Sequence, residues 1–330
     1  MIADGRRALA LSVMAGLVVV AGAAGAQTAA QAQAYPSQDV RFVVGFAAGS
    51  GPDTIARFLA EKLRPHLKRT ILVENKVGAV GNIATEYVAR SRPDGHTLYV
   101  TGGNALAASG HLFKNPPVDV ATAFEVVATL SRQPVMLVVG PNSAAKTLPE
   151  LTAILKSKGE KAAYGTAFPS ARVVGALYRQ FAATQAVEVQ YRTSKDWVND
   201  LTSGTIDFAF IDSTSGVGLA KEGRVRVLAL TTGERSKALP EYPTMKEGGV
   251  PVDMMGWWAV FAPAGTPKPI VDQLNAAFSE VVRSEEGRAF FTRIGNDPWV
   301  STPEEARAYY LKEYKDWGEY VRIAKIEPQG

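Results

Sequence analysis

No cysteine occurs anywhere in the 330 residues. Disulfides, thiol catalysis and thiolate metal sites are therefore excluded, as is a lipid anchor attached to a cysteine at a signal-peptide cleavage site. Stability has to come from a large core, which a chain of this length can build. Histidine is scarce too. His66, His96 and His111 have neither metal-ligand spacing nor a G-x-S-x-G nucleophile elbow to serve, and His66 and His96 read as surface residues. No metal site is expected. Nor does the sequence pair any two carboxylates as acid and base, so no catalytic residue is assigned and the chain is read as a non-enzyme. The formal net charge of +4 is small, and no Lys/Arg run is interleaved with aromatics, which argues against nucleic acid. Without a G-x-G-x-x-G pattern or a P-loop lysine, no nucleotide or other cofactor is expected.

Apolar runs of membrane length are missing as well. The one long run, from Ala8 to about Ala24, follows Arg6 and Arg7 and is shorter than a span requires. Small residues then offer cleavage after Ala26 or after Ala34, the pattern of a secretory signal peptide over residues 1–34. Its removal leaves a net charge of +3 and a mature chain expected to be soluble in the periplasm and not to be a lipoprotein.

Strand-like and helix-like stretches alternate in what remains. Val40–Val44, Thr70–Glu74 and Thr97–Thr101 read as strands, and helical patterns follow the first two. Gly102-Gly103-Asn104 reads as a small-residue loop. Phe124–Val139 is extended and apolar, a crossing into a second lobe where helices and strands alternate again up to Thr231. Trp257–Phe261 looks like the strand that returns, and the tail is helical. The expected fold class is α/β, each lobe a mostly parallel sheet flanked by helices. The expected lobes are residues 35–134 with 255–330, and residues 135–254.

The turn after the first strand, Phe46-Ala-Ala-Gly-Ser-Gly-Pro-Asp53, is the strongest site candidate. Gly49 and Gly51 permit a sharp turn and a close ligand, Pro52 suits a first helical turn, and Asp53 suits its dipole. Backbone N–H groups with no intrahelical partner then form an anion site, with Phe46, Ala47, Ala48, Ser50 and Gly51 around it. A counterpart in the second lobe runs Gly165-Thr-Ala-Phe-Pro-Ser-Ala-Arg172, where Thr166 and Ser170 can donate and Arg172 can pair with a carboxylate. Thr101 and Asn104, and Asp212 and Ser213, end other strands on the same edge, where ligands bind in such sheets. Asp212 serves equally as a helix cap. Trp257 and Trp258 are core, cleft wall, or one of each, because strand alternation sends them to opposite faces.

These pieces in order, with Tyr35-Pro-Ser37, Val73-Glu-Asn75 and Gly78–Asn82, Arg92-Pro-Asp-Gly95, Tyr191-Arg-Thr-Ser194, Ala262-Pro-Ala-Gly-Thr-Pro267 and Thr302-Pro-Glu304, resemble the tripartite tricarboxylate transporter substrate-binding proteins, the Bug family. The resemblance implies a two-lobed periplasmic-binding fold (type II-like) that closes on a small carboxylate and delivers it to membrane permease subunits. A monomer is expected. A sensor component, or a secreted enzyme on the same fold, is the alternative. By position, the implied ligand loops are Phe46–Asp53, Thr101–Asn104 and Gly165–Arg172, with Asp212 beyond. The third loop is shorter and poorer in glycine than is usual in the family, and Arg172 stands where a histidine is more common. An arginine facing the first-lobe turn implies a ligand with a second acidic group or strong acceptor, its carbon skeleton packed by Phe168 or Trp257.

Overall fold

The computed structural model describes residues 35–329, save the side chains of Ser194 and Lys195. The expected leader lies outside them. By contacts the chain divides after Ser37, and the fold belongs to the unit from Gln38 onward. Among the described residues no helix is long and apolar enough to cross a membrane.

The first half opens with strand β1 (Val40–Val44) and helix α1 (Gly51–Leu67). Phe42, Val43 and Val44 are fully buried, as a strand covered on both faces requires. In α1, Ile55, Leu59 and Leu63 recur four apart on one face and lose all contact with solvent, each contributing about 2 kcal/mol. The helix ends at Lys68, whose φ of 51° is left-handed. Strand β2 (Ile71–Asn75), helix α2 (Asn82–Ala89), strand β3 (Thr97–Gly102) and helix α3 (Gly103–Leu112) follow. Strand β4 (Phe124–Val139) leads into the second half. There the chain runs α4 (Leu148–Lys158), β5 (Ala163–Thr166), α5 (Pro169–Phe181), β6 (Val187–Gln190) and α6 (Ser194–Ser203). Strand β7 (Phe208–Asp212), helix α7 (Ser213–Lys221) and strand β8 (Arg226–Leu230) complete that half. Strand β9 (Met255–Pro263) returns, and α8 (Lys268–Arg283), α9 (Glu285–Arg293), β10 (Asp297–Pro298) and α10 (Pro303–Ile323) finish the chain.

The sheet order is β2-β1-β3-β9-β4-β7-β5-β6, with β8 and β10 also paired to β4. β1, β2 and β3 are parallel, and so are β5, β6 and β7. β4 joins them by changing partners: Phe124–Pro134 pairs with β9, and Val135–Val139 with β7 and β8. Thr231 ties the two crossing strands together. Its hydroxyl accepts from the Val135 N–H at 3.1 Å and donates to the Met254 carbonyl at 2.8 Å. This is the α/β, two-lobed architecture expected from the pattern of elements.

Two local readings need correcting. The loop expected at Gly102–Asn104 is the start of helix α3. Its glycines serve packing: a Cβ on Gly103 would lie 2.2 Å from the Trp257 ring, while Ala105, Ala107 and Ala108 favour a helix. His96 is no surface residue either, its side chain being only 10% exposed beside Asp94.

Candidate functional site

Five helices begin around one cleft of about 410 Å³: α1, α3, α5, α6, whose cap Thr193 lines it, and α7. Each contributes N–H groups without intrahelical partners and the positive end of its dipole. Around them stand hydroxyls and amides of Ser50, Asn104, Gln133, Ser170, Thr214 and Ser215, with apolar walls from Phe46, Ala167, Phe168 and Trp258. The volume suits a small organic molecule. Among the described residues no group of His, Asp and Glu could hold a metal ion.

The first turn is braced from behind. Asp53 is 2% exposed, and its carboxylate accepts from the Gly49 N–H at 2.7 Å, Asn75 Nδ2 at 2.9 Å and Arg57 Nε at 2.9 Å. Burial on its own would raise this carboxyl, but the hydrogen bonds from Arg57, Gly49 and Asn75 outweigh it and hold it below the usual range. Asn75 also donates to the Phe46 carbonyl at 2.9 Å, so the end of β2 clamps both ends of the turn. Gly49 has φ 76°, which glycine adopts without strain. Asp53 thus shapes the turn and does not line the cleft, which Phe46, Ala47, Ala48, Ser50 and Gly51 do.

The second turn is braced in the same way with charges exchanged. Thr166 Oγ1 donates to Glu188 Oε1 at 2.7 Å, and Arg172 Nε pairs with Glu188 Oε2 at 3.4 Å. Both residues border a separate crevice of about 20 Å³, too small for a metabolite, and neither reaches the cleft. Placing Arg172 opposite the ligand is therefore a misreading. Its counter-charge on neighbouring β6 draws it backward, and the case for a diacid built on it falls. Gly165 is likewise structural, since a Cβ there would meet Ile206 at 2.9 Å and Trp197 at 3.2 Å. Ala167, Phe168 and Ser170 do face the cleft.

The halves meet across it. Asn104 Nδ2 donates to Ser170 Oγ at 2.9 Å, and the Gly51 N–H donates to Ser215 Oγ at 3.1 Å. A Cβ on Gly51 would fall 2.7 Å from Asp212 Oδ1, so only glycine permits this approach. Asp212 lines the cleft and caps α7, accepting from the Ser215 N–H at 2.9 Å. Burial pushes its carboxyl up, and the Ser215 hydrogen bonds offset this only in part. Ser50 Oγ and Asn104 Oδ1 are buried with no protein partner, two polar atoms left for a ligand.

Three further candidates lie elsewhere. Ser213 turns to Asn296, donating to its Oδ1 at 2.7 Å. Thr101 is buried beneath the cleft, 2% exposed. Trp257 is fully buried among Phe261, Trp299, Tyr309 and Tyr310, while Trp258 on the opposite face lines the cleft and donates from Nε1 to Thr214 Oγ1 at 3.1 Å. The residues missed include Gln133, Thr193, Asn199, Thr214, Ser215 and Arg224. A glutamine inside the apolar run of β4 and a serine three residues past a capping aspartate were the available signals; Arg224 had none.

Comparison with known proteins bears on the family and the fold. The model of the tripartite tricarboxylate transporter family receptor matches residues 55–326. A UPF0065 protein of Bordetella bronchiseptica is 31% identical over 301 residues, covering 91% of this chain and 90% of its own. Among solved structures, the periplasmic binding protein BugD superposes with a TM-score of 0.83 at 29% identity, covering 89% of this chain and all of BugD. R. palustris Rpa4515, solved with adipate, gives 0.85 at 27% identity, over 89% of this chain and 99% of its own.

Proposed function

The chain belongs to the tripartite tricarboxylate transporter receptor family, and within it we propose a periplasmic receptor that captures a small organic carboxylate between two lobes and hands it to membrane permease subunits. The lobes are residues 35–134 with 255–330, and 135–254. The leader over 1–34 is removed, and the mature chain acts as a monomer without catalysis. One observation carries the reading: helix N-termini from both halves of the sheet converge on a single cleft, beside a buried Ser50 hydroxyl that has no protein partner. Such an arrangement holds an anion with backbone amides and hydroxyls alone. Adipate in Rpa4515 supports the ligand class.

A ligand touched by both halves favours their closed arrangement by its differential affinity for it. Small-angle scattering should therefore show a smaller radius with ligand than without. The identifying experiment is to denature the purified protein and weigh the small molecule it releases. An organic acid is expected; a sugar or an amine would overturn the reading. Incubation that converted the acid to a product would restore the enzyme alternative.

A further inference from the structure

Of the described side chains lining the cleft, Arg224 alone carries a fixed positive charge. Helix α7 ends in a Schellman turn that sets its position. Gly223 takes φ 69° and donates to the Ala220 carbonyl at 3.0 Å, while the Arg224 N–H donates to the Leu219 carbonyl at 2.9 Å. This turn brings the side chains of Leu219 and Arg224 close to one another, and both line the cleft. The Arg224 side chain is 50% exposed. Its ion-pair partner among the described residues, Glu222, stands at 3.9 Å, beyond hydrogen-bond length. The guanidinium fork is therefore free to take a carboxylate.

Helix α7 acts as a ruler between two ends of the site. Asp212, Thr214 and Ser215 lie at its N-terminus, where the other helix N-termini converge, and Arg224 lies just past its C-terminus. Nine residues at a rise of 1.5 Å separate these ends by about 13 Å, less the reach of the arginine stem. Val198, Ile211 and Leu219 give this side of the cleft an apolar lining, beside the polar Thr193 and Asn199.

We propose that Arg224 receives a second acidic group at the far end of the ligand, so that the cleft selects an α,ω-dicarboxylate whose apolar spacer reaches from the helix N-termini to the C-terminal turn of α7. This rests on the carboxylate-receptor reading and adds to it a length and a second charge. A short diacid held at the N-termini leaves Arg224 to water. A monoacid of full length fills the apolar stretch and gains nothing at its end. A long diacid forms a charge-assisted pair there, weakened by the half exposure of the guanidinium but not abolished.

Calorimetry on the purified chain with suberate, octanoate and succinate tests this, against wild type and Arg224→Met, which keeps an apolar stem and removes the charge. Wild type should bind suberate at least about tenfold more tightly than octanoate, a margin an ion pair of this exposure can supply. Arg224→Met should lose that margin while binding octanoate and succinate as wild type does, and Arg224→Lys should recover part of it. Equal affinity of wild type for suberate and octanoate would overturn the proposal, as would an equal loss for both acids in Arg224→Met. Either result leaves the receptor reading intact. Binding of none of the three acids by wild type would overturn the proposal, and release of a sugar or an amine on denaturation would overturn the receptor reading with it.

Discussion

The turn that opens α1 and the turn that opens α5 solve one problem with opposite charges. In the first half the ionised residue is Asp53, drawn back to Asn75 on edge strand β2. In the second it is Arg172, drawn back to Glu188 on edge strand β6. Each turn thereby shows the cleft backbone amides, a hydroxyl, alanine methyls and a phenyl ring, its charge kept behind as a brace. The braces differ in strength. Asp53 is 2% exposed and accepts three short bonds, whereas Arg172 is 16% exposed and makes one long one. The first turn is thus the more firmly braced of the two. A charged residue next to a binding turn is therefore poor evidence of ligand contact until the neighbouring strand is known.

The comparison breaks most visibly at Asp53. Asp53→Ala strands the Gly49 N–H and the Asn75 amide, which should cost about 3 kcal/mol in urea unfolding and abolish acid binding. A loss no larger than that of an exposed carboxylate would show that the first turn needs no brace. The pH dependence has a definite sign: because the folded carboxyl is held low, its contribution is present above the ordinary aspartate range and is lost as pH falls through the lowered value.

A second carboxyl in the first half behaves in the opposite way. Burial pushes Glu313 up to about 6, although the Trp317 indole N–H donates to it at 3.2 Å. Its folded form prefers the proton, so the stability it contributes is full below its unfolded value near 4.5 and declines as pH rises towards 6. Glu313→Gln should raise stability at pH 7 by about 1–2 kcal/mol and flatten the curve between these values. Unchanged curves for both proteins would mean that the carboxyl is better solvated than its surroundings imply.

Arg172→Ala sharpens the contrast between the turns. The weaker brace should cost about 1 kcal/mol of stability and leave acid affinity nearly unchanged, because the side chain does not reach the cleft. A large loss of binding would return Arg172 to the site. The smallest effect is expected beside the first turn, where Gly78, Ala79, Val80 and Gly81 all have positive φ. Val80 at φ 54° is a β-branched residue in a left-handed conformation. Val80→Gly should stabilise the fold by about 0.5 kcal/mol, strain relief exceeding the added chain entropy. Destabilisation would mean that its packing near Phe46 outweighs the strain.

Most of the fold was legible in the sequence because its elements are signalled locally: apolar runs for β1 and β4, cap residues at Pro52 and Pro303, and fourfold spacing in α1. The exception, α3, was hidden because glycines that make room for Trp257 look like glycines that make a loop. The site was legible only as far as the backbone carries it. Phe46–Gly51, Asn104, Ala167, Phe168, Ser170 and Asp212 follow from strand ends, and the structure brings them together. Side-chain direction did not follow. Thr166 and Arg172 turn towards Glu188, a partner on another strand, and the choice between Trp257 and Trp258 depends on which face of β9 meets α3 and α10. Arg224 enters through a helix-end turn whose place beside the cleft is set by tertiary packing alone.

Helix N-termini from both halves should hold one carboxylate. A crystal structure of the chain with the acid released from the purified protein tests it most directly. That carboxylate is expected against the Ala47–Ser50 turn on one side and Ser170 on the other, within hydrogen-bond distance of Ser50 Oγ and with no cation at that end. A carboxylate held by Arg172, or bound outside the cleft, would contradict it.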